Sequence, residues 1–211
     1  MKKLLIILCG GVAAYKVLDF IRELNCDHGI ESTVVLTDSA AEFVTPLSVS
    51  TLSGSTVYTQ ADFFKSRSSV IHIDLARSHD AILVFSATAN FMAKVANGLC
   101  DDLASTIIAA SDKPVFFAPS MNPEMWLNNA FQRNLNQLIE DGHTIIEPDI
   151  GEMVCGEEGF GRLAPYSRIR NMLLSNQSQP LLGKTVLLTS GATWEPIDPV
   201  RGITNKSSGK Q

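Results

Sequence analysis

Residues 2–24, KKLLIILCGGVAAYKVLDFIREL, change period once. KKLLIIL (2–8) is a continuous apolar run behind two lysines, the pattern of a strand buried on both faces. Gly10 and Gly11 turn the chain. From Val12 to Leu24 the spacing becomes helical, with Val17, Phe20, Ile21 and Leu24 on one face. A doubly buried strand, a glycine turn and an amphipathic helix form the opening unit of a parallel α/β sheet.

The same alternation continues. STVVLT (32–37), AILVF (81–85), PVFFA (114–118), HTIIEP (143–148) and KTVLLTS (184–190) read as further strands. Helices are expected through DSAAEFV (38–44), over 88–97 and 101–110, and where Phe131, Leu135, Leu138 and Ile139 form a stripe. Two stretches resist assignment: 46–70, rich in Ser and Thr, and VIHIDL (70–75). The whole predicts an α/β fold with a doubly wound parallel sheet. Ligands of such sheets bind beyond the carboxyl ends of the strands, here the loops from Cys9, Thr37, Phe85, Pro119 and Pro148. SNQSQPLLG (175–183) reads as a linker, dividing a domain at 1–178 from a linker and the start of another at 179–211.

Composition narrows the partners. The chain has 211 residues and a net charge of −5, with no basic stripe, so nucleic acid is not an expected partner. Four cysteines and four histidines lie scattered without metal-ligand spacing, so no metal is expected. Free thiols fit a reducing cytosol. The apolar run Leu4–Leu8 is shorter than the ~7–15 residues of a signal h-region, and no stretch is long enough to span a membrane. The expectation is a cytoplasmic protein with no membrane partner.

Several strand ends could carry chemistry. Gly10 and Gly11 before a helix let backbone N–H groups approach an anion, although such turns are common in α/β proteins. Thr37 and Ser39 face the same crevice, or cap a helix. In FSATAN (85–90) the small residues would let a flat ring lie against the backbone, with Ser86, Thr88 and Asn90 at its edge; a helix cap is the alternative. Asp101 and Asp102 suit a helix start better than an acid/base pair. His72, between apolar residues, reads as a packed histidine. In APSMNPEMW (118–126) Asn122 reads as a helix N-cap, with the Met residues and Trp126 as core, which leaves open whether it also holds a ligand. GEMVCGEEGFGRLAP (151–165) crowds glycines around Cys155, as a flexible lid with a proton donor or nucleophile would, or as a surface loop would.

Taken together, GGVAAYK (10–16), HIDL (72–75), SATAN (86–90), GLCDDLAST (98–106), PSMNPEMW (119–126) and CGEEGFGR (155–162) resemble the flavin-dependent cysteine decarboxylase family. The likeness runs over residues 2–170 and is nearest to the decarboxylase half of the bifunctional decarboxylase/ligases of coenzyme A biosynthesis. The tail GATWEPIDPVRGITNKSSGK (191–210) looks like the first segment of the ligase half, and no ligase activity is expected of this chain alone.

The resemblance implies a flavodoxin- or Rossmann-like three-layer flavoprotein that carries FMN. Gly10, Gly11, Thr37 and Ser39 would then hold the phosphate, and Ser86, Ala87, Thr88 and Asn90 would line the flavin. Asn122 would orient the substrate carboxylate, with Met125 beside it, His72 would be the base, and Cys155 would be the proton donor on a flap. The implied reaction is FMN-dependent decarboxylation of 4'-phosphopantothenoylcysteine, a small-molecule substrate. The flavin first oxidises the cysteine side chain to a thioaldehyde-like group, CO2 leaves to give an enethiolate, and hydride and proton are then returned. The implied assembly is a homo-oligomer, a trimer or a dodecamer of trimers, with sites at subunit interfaces. Three positions depart from the family pattern: Cys9 replaces Ser or Thr, Ser86 replaces Pro, and Phe85 replaces a small residue. A peptide cysteine decarboxylase, a flavin prenyltransferase of similar fold and a non-catalytic regulatory subunit are the alternatives. The tail argues against the first, PSMNPEMW and Cys155 against the second, and the presence of His72, Asn122 and Cys155 against the third.

Overall fold

The computed structural model describes residues 1–64, 70–152, 156–175, 185 and 194–204. It divides into two units, Met1–Gln177 and Ser178–Gln211.

The first unit is built on six parallel strands: β1 (Lys3–Leu8), β2 (Glu31–Leu36), β3 (Thr56–Tyr58), β4 (Ala81–Ala87), β5 (Val115–Pro119) and β6 (Thr144–Ile145). Their order across the sheet is β3-β2-β1-β4-β5-β6. The order reverses between β1 and β4, so a crevice opens at the carboxyl ends of these two strands. Alternate residues of β1 enter opposite cores, Leu4, Ile6 and Leu8 on one face and Leu5, Ile7 and Cys9 on the other. This explains why the run is apolar throughout. Each such side chain contributes about 1.5–3 kcal/mol relative to exposure.

One face is covered by α1 (Val17–His28), α3 (Pro46–Ser53) and α9 (Tyr166–Ser175), which contribute Phe20, Val49 and Ile169 to the first core. The other is covered by α4 (Ile71–Ser78), α5 (Ala89–Ala96), α6 (Leu103–Ala109) and α8 (Asn129–Glu140), with Leu75, Phe91, Ile107 and Leu135 in the second core. The short helices α2 (Asp38–Ala41) and α7 (Pro123–Leu127) follow β2 and β5. A hairpin of β7 (Asp149–Glu152) and β8 (Glu158–Arg162) stands apart from the main sheet.

Several expectations are corrected. The helix expected over 12–24 is a 3-10 segment, Val12–Lys16, followed by α1. VIHIDL belongs to α4, because Ile71 and Leu75 lie one turn apart and Leu75 packs into the second core. The Ser/Thr-rich stretch contains α3, started by a capping box of Thr45 and Ser48, then β3. HTIIEP pairs only at Thr144 and Ile145. The strand expected over 184–190 lies outside the described residues, apart from Thr185.

In the second unit β9 (Trp194–Pro196) pairs antiparallel with β10 (Gly202–Thr204). The Asp198 carboxylate accepts from the backbone N–H groups of Val200 and Arg201 and from Arg201 Nε, which closes the turn between them.

Candidate functional site

Two cavities open at the carboxyl ends of the strands. The first, about 350 Å3, is lined by Cys9, Thr37, Ser39, Thr88, Asn90 and Lys94 among others. The second, about 400 Å3, is lined by Gly10, Gly11, Thr88, Asn122, Met125 and Arg162 among others. Thr88 belongs to both.

The glycine turn is required by close approach. A Cβ on Gly10 would lie 2.5 Å from the backbone carbonyl group of Ser39, so the turn after β1 touches the start of α2 there. A Cβ on Gly11 would lie 3.1 Å from Ser86 Oγ. No side chain caps the 3-10 segment after Gly11, so its first N–H groups have no side-chain acceptor. Cys9 is buried beneath this turn, and burial pushes its thiol up to about 12, so it stays protonated.

The neighbouring hydroxyls are partly committed. Thr37 Oγ1 donates to the Leu8 carbonyl at 3.1 Å and accepts from the Ala40 N–H at 3.2 Å, capping α2. Ser39 Oγ lies 3.3 Å from it. Thr88 caps α5 by accepting from the Phe91 N–H at 3.3 Å. Ser86 differs from them. It sits at a register shift in β4 with φ +53°, fully buried, and its Oγ has no hydrogen-bond partner among the described residues. A left-handed non-glycine residue with an orphaned hydroxyl is doubly unfavourable, and such residues concentrate at ligand sites. Ala87 packs its side chain into the second core, and neither Ser86 nor Ala87 lines either cavity.

At the rim of the first cavity Lys94 binds Asp101 at 2.7 Å and Asp102 at 2.8 Å. Hydrogen bonds to Asp101 and then Asp102 raise the Lys94 pKa. Burial pushes the Asp102 carboxyl up, but Lys94 and Ser105 hold it below the usual carboxylate range. Asp102 also caps α6 in a capping box with Ser105, so the helix-start reading of this acidic pair is correct for Asp102.

The second cavity is set by the end of β5. Asn122 is the N-cap of α7, its Oδ1 accepting from the Met125 N–H at 2.8 Å. Its Nδ2 donates to Glu157 Oε2 at 2.7 Å. Met121 and Trp126 are buried behind it, as expected, but Met125 is 47% exposed and belongs to the cavity wall, not the core. Lys16 and Arg162 bring two cations to the same cavity. Both ended stretches already singled out for their glycines, and their charge was the signal that was passed over.

His72 joins neither cavity. It lies on α4, its ring 5.6 Å from that of Phe63 and edge-on to it. Cys155 lies outside the described residues.

Comparison with known proteins agrees with this architecture. Residues 1–178 match the Flavoprotein family, and residues 181–211 match the DNA/pantothenate metabolism flavoprotein C-terminal domain. The coenzyme A biosynthesis bifunctional protein CoaBC of Vibrio vulnificus (strain YJ016) is 42% identical over 210 residues, covering 99% of this chain and 52% of the relative. A solved mutant PPC decarboxylase complexed with pantothenoylaminoethenethiol superposes with a TM-score of 0.77 at 34% identity, covering 84% of this chain and 99% of that one. The FMN-dependent cysteine decarboxylase SpaF gives a TM-score of 0.73 at 30% identity, covering 84% of this chain and 98% of that one. The chain belongs to the Flavoprotein family. It spans about half the length of the curated relatives it matches.

Proposed function

We propose that residues 1–178 form an FMN-dependent carboxy-lyase that decarboxylates 4'-phosphopantothenoylcysteine to 4'-phosphopantetheine in coenzyme A biosynthesis. On this reading residues 179–211 are a linker and the start of a ligase domain. The observation that carries the proposal is the placement of Asn122 in one cavity with the Gly10–Gly11 turn and Thr88. A carboxylate-holding amide thereby stands beside an anion cradle.

The residues present fit a flavin mononucleotide. The glycine turn has no room for a Cβ at Gly10, its helix start is uncapped, and the buried Ser86 hydroxyl beside it lacks a partner among the described residues. Gly10 and Gly11 would hold the phosphate through their backbone, with Thr37 and Ser39 close by. Thr88 and Asn90 would border the ring. Bound there, the flavin supplies the electron sink that a cysteine carboxylate lacks.

The chain's own groups then have separate tasks. The Asn122 amide orients the substrate carboxylate. Met121 and Trp126 form a dry wall behind it, and Met125 borders the substrate. Lys16 and Arg162 favour entry of a substrate bearing both carboxylate and phosphate. His72 removes a proton, and Cys155 returns one to the carbon that has lost CO2. Because His72 lies outside both cavities of its own chain, it would serve the site of a neighbouring copy in a homo-oligomer. The enzyme is assigned to the cytoplasm; no helix of the described residues is long and apolar enough to cross a membrane.

The test is a visible absorption spectrum of the purified protein, release of its chromophore, and product analysis with 4'-phosphopantothenoylcysteine. A yellow protein that releases FMN and evolves CO2 is the expected result. A colourless protein that does not take up added FMN would overturn the reading.

A further inference from the structure

Asn122 has a partner that the proposed reaction does not use. The Met125 N–H can only donate, so its 2.8 Å contact makes Oδ1 the acceptor and leaves Nδ2 as the free end of the amide. That end donates to Glu157 Oε2 at 2.7 Å. Glu157 immediately precedes β8, and β8 is seated on the same turn. The Met121 N–H donates to the Gly161 carbonyl at 3.0 Å. Phe160 packs edge-on to Trp126, ring centres 5.1 Å apart. A Cβ on Gly159 would lie 2.7 Å from Pro123 Cγ. A docked strand therefore delivers the Glu157 carboxylate to the amide. Among the described residues no lysine or arginine forms an ion pair with Glu157.

We infer that Glu157 is an internal stand-in for the substrate carboxylate, holding the Asn122 donor in the free enzyme and yielding it to a carboxylate-bearing ligand. The inference rests on the decarboxylase reading above. Two carboxylates cannot share this nitrogen comfortably. Its second hydrogen would bring another anion beside Glu157, a carboxylate that no ion pair neutralises among the described residues. Exchange replaces one charge-assisted bond by another of the same kind, so the substrate gains less from Asn122 than it would from an empty amide. Binding energy spent on the group that must leave would slow its departure. When CO2 has gone, the product has no carboxylate to offer, and Glu157 returns to the amide. The residue thus weakens the hold on the departing group without changing the rest of the substrate's contacts.

Calorimetric titration of the flavin-loaded full chain tests this with two unreactive ligands. One is the serine counterpart of the substrate, which keeps the carboxylate and lacks the thiol. The other is its ethanolamine amide, which lacks both. Glu157→Ala should bind the serine compound about three- to tenfold tighter than the unsubstituted protein, with Glu157→Gln between them, and should bind the ethanolamine compound with unchanged affinity. Equal affinity of all three proteins for the serine compound would overturn the inference and leave the decarboxylase reading standing. Weaker binding of both ligands to Glu157→Ala would make Glu157 a strand-docking residue and overturn it as well. If neither ligand binds the unsubstituted, FMN-loaded protein, the substrate reading itself falls and the inference falls with it.

Discussion

Asn122 carries a helix cap and a ligand-facing donor on one amide, and substitution can separate them. Aspartate caps as well as asparagine. Asn122→Asp should therefore keep the cap of α7 and the flavin content, while turnover falls roughly a hundredfold because a carboxylate now faces both Glu157 and the substrate's own carboxylate. Parallel loss of flavin and turnover would make Asn122 structural. Ser86 offers the complementary case. Its φ of +53° costs a non-glycine residue about 1 kcal/mol, and its orphaned hydroxyl adds to that. Ser86→Gly should raise the urea midpoint of the flavin-free protein and lower its affinity for FMN. Ser86→Pro should destabilise it, since proline cannot adopt a positive φ. Both were legible in part. Pattern marked Asn122 as a cap and Ser86 as a strand-end residue, but a left-handed backbone leaves no trace in a non-glycine sequence.

At the level of elements, α4 shows why VIHIDL resisted assignment. Its β-branched residues suit a strand, while Leu75 must reach the second core one turn after Ile71. The helix ends at His79, whose Nδ1 donates to the Leu75 carbonyl at 2.8 Å. Burial holds the His79 pKa below its usual value, against the opposing pull of that bond. Burial also lowers His143, which packs edge-on to Phe117. For both groups the unfolded chain binds the proton more readily. Their contribution is complete above the unfolded value of 6.5 and is lost as pH falls through the folded values. Urea midpoints measured from pH 7.5 to 5 should therefore decline, less steeply in His79→Gln. The β7–β8 hairpin depends on a different contact. Gly159→Ala would press on Pro123, so turnover should drop at least severalfold while the thermal transition of the sheet, which does not include the hairpin, moves little. An unchanged turnover would show that the hairpin's seat on α7 has no part in the reaction.

Across the whole molecule, His72 and Asn122 stand at different places on one chain, and the proposed reaction needs both. His72→Asn and Asn122→Asp should each be nearly inactive alone. Mixed and allowed to exchange subunits, they should recover about a quarter of the unsubstituted activity if each site takes one residue from each of two copies. No recovery despite demonstrated exchange would confine the site to a single chain. The sequence alone determined the alternation of doubly buried strands and helices, because burial on both faces demands unbroken apolar runs such as Leu4–Leu8. It also determined the glycine turn and the caps at Thr88, Asp102 and Asn122, since these depend on neighbours within a few residues. Only the tertiary structure decided that Gly10 abuts Ser39, that Ser86 is buried without a partner, and that Glu157 meets Asn122 across 35 positions of chain. Those contacts join strand ends and a hairpin distant in sequence, and no local period encodes which distant groups a fold will bring within hydrogen-bond reach.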